Sequence, residues 1–64
     1  MANIAFQVAD DLRKKGYNCS VSIDYDTENA VVLTIHRTGS FRMIKVFDYE
    51  TYEDVMEKLL KEER

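Results

Sequence analysis

The chain has no proline and no tryptophan, and only two glycines, one cysteine and one histidine in 64 residues. Each shortage excludes something. A lone thiol, Cys19, forms no internal disulfide, and one histidine with one cysteine is too few for a zinc site. With Gly16 and Gly39 both placed where turns are expected, no glycine-rich phosphate loop remains. His36 stands beside Arg37 in a predicted strand, without the nucleophile and orienting acid that catalysis by an imidazole requires, so no catalytic residue is expected. No apolar run approaches the ~20 residues that span a bilayer. The opening stretch carries Asp10 and Asp11 and lacks the positive start and apolar block of a signal peptide, so a cytoplasmic protein is expected. The acidic stretch from Asp24 to Glu28 lacks the spacing of a calcium loop, and neither metal nor cofactor is expected.

What is present is enough for a folded unit: 45% hydrophobic, 33% charged and 11% aromatic residues. One compact domain over 1–64 is expected, with the thin core of a chain that buries only ~60% of its unfolded surface. Ile4, Val8 and Leu12 recur every four residues, with Ala5 and Ala9 beside them, and predict a helix from about Asn3 to Lys15. Asn3 is its candidate N-cap, while Arg13, Lys14 and Lys15 suit its C-terminal dipole and Gly16 stops it. The period then changes to two. Cys19, Val21, Ile23 and Tyr25 alternate with polar residues in a strand over 17–26, and Cys19 there packs as a small hydrophobe. A polar turn, Asp26 to Asn29, leads to a second strand from Ala30 to Arg37. Thr38-Gly39-Ser40 turns the chain into a third, Phe41 to Phe47.

A connection centred on Thr38-Gly39 pairs Leu33 with Ile44, Val31 with Val46 and Ile35 with Arg42; a slip of one would bring Lys45 into the core. The same register puts Val32, Thr34, His36, Phe41, Met43 and Lys45 on the opposite face. The last segment is helical again, with Tyr52, Val55, Met56, Leu59 and Leu60 on one side. Asp48 is one candidate cap, with Phe47 and Tyr52 as a staple; Thr51 with Asp54 is the other. The expected fold is therefore α+β in αβββα order: a three-stranded antiparallel meander with two helices packed on one face, over Val21, Ile23, Leu33, Ile35, Ile44 and Val46. The other face is open. Val32, Phe41 and Met43 form a secondary patch there, and self-association through it into a weak homodimer is the alternative to the reading below.

Charge is sorted along the chain. The net −3 resolves into +1 over 1–23, −3 from Asp24, Asp26 and Glu28, +3 from Arg37, Arg42 and Lys45, −5 from Asp48, Glu50, Glu53, Asp54 and Glu57, and +1 over the remainder. Helix, three strands and helix is also the order of the double-stranded RNA-binding domain. Its second helix opens on basic residues, where this chain has an acidic run, so direct nucleic-acid contact is not expected. Carboxylates interleaved with Tyr25 and Tyr49 instead suit a surface that meets arginines and lysines, with those two tyrosines as anchors and Tyr52 packed inward.

In size, acidity, element order and an opening Asn3-Ile4 helix running through Lys15-Gly16-Tyr17 into a first strand, the chain resembles the small phage-encoded type II anti-CRISPR proteins that inhibit Cas9. In that family, acidic side chains occupy the basic surface on which Cas9 reads the PAM duplex, a form of DNA mimicry. The resemblance implies a phage inhibitor whose partner is a basic nucleic-acid-binding protein such as Cas9. Its implied contact set is Asp24, Asp26, Glu28, Asp48, Glu50, Glu53, Asp54 and Glu57.

Overall fold

A computed structural model describes residues 3–61, in the order α1 (Ile4–Lys14), β1 (Asn18–Ile23), β2 (Ala30–Arg37), β3 (Ser40–Phe47) and α2 (Tyr52–Lys61). The three strands form one antiparallel sheet in the order β1-β2-β3. Leu33 lies opposite Ile44, Val31 opposite Val46 and Ile35 opposite Arg42, the pairing that the hydrophobic alternation predicts. Both helices lie on one face. Ala5, Val8, Ala9 and Leu12 of α1, with Val55 and Leu59 of α2, join Cys19, Leu33, Ile35, Ile44 and Val46 in a single core. Leu33, Val8, Val46 and Val55 are its largest fully buried side chains, each stabilising the fold by roughly 1.5–3 kcal/mol against exposure.

Helix α1 begins and ends on local chemistry. The Asn3 side-chain oxygen accepts the Ala5 N–H at 2.8 Å, satisfying one of the unpaired donors of the first turn. At the other end Gly16 adopts φ +100°. Its N–H reaches the Arg13 carbonyl, and the Tyr17 N–H reaches that of Leu12. This paired closure needs the left-handed conformation that glycine adopts without strain, and it sets Tyr17 over Leu12. For α2 the competition between caps is settled in favour of Thr51. Its hydroxyl accepts from Asp54 N–H at 3.2 Å, and the Asp54 carboxylate accepts from Thr51 N–H at 3.0 Å, a reciprocal box that leaves Asp48 outside the helix.

Three expectations need correction. β1 ends at Ile23 rather than running to Asp26, because the Asp24 carboxylate takes the Asp26 N–H at 3.0 Å and folds the chain into a turn. Ile23 is consequently 66% exposed, and Tyr25 is out of the sheet altogether. Leu60 is exposed as well, one position beyond the buried face of α2.

Each traverse of the chain reverses direction, so the connections gather at two ends. The β1–β2 loop, the β3–α2 connection and the start of α1 share one end. There Asp48 N–H donates to the Asn29 carbonyl at 2.8 Å, and the Asn3 amide donates to the Val46 carbonyl at 3.0 Å and the Asp48 carboxylate at 2.7 Å. The α1–β1 turn, the β2–β3 turn and the end of α2 share the other, where an Arg42 guanidinium nitrogen donates to the Leu59 carbonyl at 3.0 Å.

Candidate functional site: an acidic end with two spent carboxylates

Reversals of direction coincide with reversals of charge sign, and the fold converts the sorted sequence into a molecule with opposite ends. Asp24, Asp26, Glu28, Asp48, Glu50, Glu53 and Asp54 lie at or beside the end held together by Asn3 and Asn29. Arg13, Lys14, Lys15, Arg37 and Lys61 belong to the opposite one. Both helices start at the acidic end and finish at the basic one, so their dipoles favour the arrangement.

The eight carboxylates singled out from the sequence are not equivalent. Two of them are engaged within the molecule. Asp24 has a side chain only 10% exposed, with Lys45 Nζ 3.4 Å away. Its carboxyl is held below the ordinary carboxylate range, first by the Asp26 N–H and further by Lys45, against a burial effect that acts the other way. Glu50 is 8% exposed and takes the Lys58 ammonium at 2.6 Å and the Phe47 N–H at 2.9 Å. Lys58 also donates to the Lys45 carbonyl at 2.7 Å. Glu50 and Lys58 thus occupy backbone groups that β3 would otherwise present along its outer edge, so this ion pair closes one half of a sheet edge.

The remaining six are exposed. Asp26 and Glu28 stand on the hairpin loop, and Asp48 holds Asn3 while facing solvent. Glu53 and Asp54 open α2, and Glu57 lies one turn beyond Glu53 on the same side of the helix. Among them project the two tyrosines expected as anchors, Tyr25 at 90% exposure and Tyr49 at 80%. Tyr49 is not loose: it stacks on Phe47 with ring centroids 5.3 Å apart, and the Lys58 ammonium stands 5.6 Å from the Phe47 ring centroid. Tyr52 points inward, its hydroxyl donating to the Asp11 carboxylate at 2.7 Å, which raises the phenol's pKa.

The secondary patch lies elsewhere. Phe41 and Met43 are 61% and 55% exposed on the open face, with Val32 half-buried among them. Backbone groups of Lys45 and Phe47 face away from β2, so alternation along β3 directs those of Phe41 and Met43 to the same open edge. His36 is exposed next to this patch, opposite Phe41. Cys19 is buried, its thiol pushed up in pKa by burial despite the opposing influence of Arg13, and it has the character of a packed hydrophobe. Among the described residues, no three His, Cys, Asp or Glu side chains are grouped to hold a metal ion, and no helix is long and apolar enough to cross a membrane.

Sequence reasoning missed a cleft at the basic end. It measures about 160 Å³ and is walled by buried Leu12, Ile35 and Leu59 with half-buried Met56. Exposed Tyr17 and Leu60 flank it, and Arg37 and Arg42 complete its lining. The one available signal was Tyr17 directly after the stop glycine, since that closure docks the residue against the last turn of the helix. No family model matches this chain, and no match was found among curated proteins or solved structures.

Proposed function

We propose that this chain is a cytoplasmic binding protein, not a catalyst, whose acidic end enters the basic nucleic-acid groove of a partner protein and keeps the nucleic acid out. The observation that supports this most directly is the joining of the two acidic blocks at one end through the Asp48–Asn29 hydrogen bond. That link joins segments twenty residues apart in sequence, which carry the exposed Asp26, Glu28 and Tyr25 on one side and Asp48, Tyr49, Glu53 and Asp54 on the other. Negative potential on such a surface steers it toward arginines and lysines and away from other acidic proteins. In the phage anti-CRISPR reading, the groove is the PAM-reading surface of Cas9, which normally meets DNA phosphates and base edges.

The test is competition for that groove. Guide-loaded Cas9 is titrated with a PAM-containing duplex in the presence of this chain, and the chain is expected to displace the duplex, less so as salt rises. The triple variant Asp26→Lys, Glu28→Lys, Glu53→Lys keeps the fold, because all three side chains are exposed, and is expected to lose affinity by about a hundredfold or more. Unaltered affinity in that variant, or failure to displace the duplex, would sink the reading.

A second reading has its own observation. Phe41 and Met43 combine exposed apolar side chains with the half of the β3 edge that Glu50 and Lys58 do not occupy, a place where two copies can add strand to strand. On this reading the chain is a structural module that dimerises through its open sheet face. Phe41→Ser would then shift a concentration-dependent dimer to monomer without altering binding at the acidic end.

A further inference from the structure

We propose that the cleft at the basic end receives the acidic loop tip of a second copy of this chain, with Tyr25 as the anchor. The two surfaces are complementary in shape and in sign. The tip is Asp24-Tyr25-Asp26-Thr27-Glu28, in which an almost wholly exposed phenol ring stands between carboxylates. At the far end of the molecule, six apolar side chains make a cleft whose volume of about 160 Å³ has room for one aromatic ring, comparable with an apolar cavity known to take benzene. Arg37 and Arg42, both engaged within the molecule, belong to its lining, and Lys15 and Lys61, exposed on the helix ends beside it, supply the positive charge that faces outward. An aromatic anchor seated in an apolar pocket and ringed by opposite charges is the usual composition of a binding hot spot.

Charge complementarity selects a second copy as occupant. One molecule carries both halves of the contact, at opposite ends of a body 30 Å long, so a copy cannot close the contact on itself and must take its neighbour's. The tip is stiff enough to serve: Asp24 anchors its backbone, Lys45 holds the Asp24 carboxylate and the Thr27 hydroxyl, and Asn29 closes the loop at φ +59°. Such a contact is heterologous, joining different surfaces on the two copies. It would cover the acidic end, and self-association would then oppose any partner that uses the same surface. The contact itself needs no other protein, so its test is separate from that of the proposed function.

Sedimentation equilibrium of the intact chain decides it. At about 0.01 M salt, where charges reach across ~30 Å, the average mass is expected to rise with concentration above the 7.5 kDa protomer; at about 1 M salt, where they reach ~3 Å, it should fall back. Tyr25→Ala should weaken the association by about tenfold or more. Two charge variants sharpen the test: Asp26→Lys with Glu28→Lys has two basic ends, and Lys15→Ala with Lys61→Ala weakens the basic end. Each alone is expected to stay monomeric, and an equimolar mixture to form a dimer and stop, because only one productive contact remains. A wild-type monomer under all conditions overturns the proposal. So does association that survives high salt or Tyr25→Ala, or that is abolished by Phe41→Ser, which would place the contact on the open sheet face.

Discussion

The two ends of the molecule hold charge in different ways. At the basic end, Lys15 and Lys61 are exposed at the tips of helices whose carbonyl ends they complement, and Lys14 pairs with exposed Asp10 one turn back at 3.3 Å. At the acidic end, charge is part of the construction. Asn3 ties α1 to Val46 and Asp48, Asp24 is held against Lys45, and Glu50 is sealed under Lys58 at the edge of β3. Carboxylates of one loop cluster therefore divide into those that build the end and those that face outward. Exposure and partners decide the division; identity and neighbourhood in sequence do not, since Glu50 and Glu53 are three residues apart.

That division is broken most forcefully at Glu50. Glu50→Lys places two ammonium groups together and leaves the Phe47 N–H without its acceptor, with an expected loss of about 3 kcal/mol, read as a lower urea midpoint. In a domain this small that is a large share of the total stability. Asn3→Ala removes the cap and both bonds that fasten α1 to the end of β3, for an expected loss of about 2 kcal/mol in the same measurement.

The sequence displayed the order of elements, the register and the core because those rest on short-range regularities: period two in Val31 to Arg37, period near four in Ile4 to Leu12, and turn residues at Gly16 and Gly39. Sign alternation along the chain was equally visible, and with chain reversal it becomes the polarity of the fold. The spending of Glu50 was not visible. It depends on Lys58 reaching across the outer strand to a residue eight positions earlier, and such a distance is set by the packing of α2 rather than by any local pattern. Asp24 offered a partial signal, an aspartate two residues before a backbone N–H that it can accept. Ile23 and Leu60 misled for a common reason: each continues an apolar alternation one step past the point where a neighbouring element still covers it.

Acid probes the hold on Asp24 without mutation. Asp24 has its folded-state pKa depressed, so its contribution is complete above the ordinary carboxylate range and fades as the pH falls through that range and below. Stability followed by thermal melting is expected to drop over this interval in the wild type, and Asp24→Asn to drop less steeply, having no carboxylate there to protonate. The hairpin loop should loosen with it, visible as faster amide exchange at Asp26, whose N–H the carboxylate holds.

The smallest expected change in stability is the most informative about function. Glu53→Lys alters charge on an exposed side chain in the first turn of α2, where the dipole prefers an acid, so the melting midpoint should move by the equivalent of about 0.5 kcal/mol or less. Set beside Glu50→Lys, the same chemical reversal three residues away then costs several times less in folding. If the acidic end is a recognition surface, partner affinity must show the reverse order once folded protein alone is compared: Glu53→Lys weakens binding, and Glu50→Gln, which keeps an acceptor for the Phe47 N–H and adds no positive charge, leaves it nearly unchanged. Equal loss of affinity in both variants would mean that Glu50 opens toward the partner on binding, and that the guard on β3 is a latch rather than a fixed part of the fold.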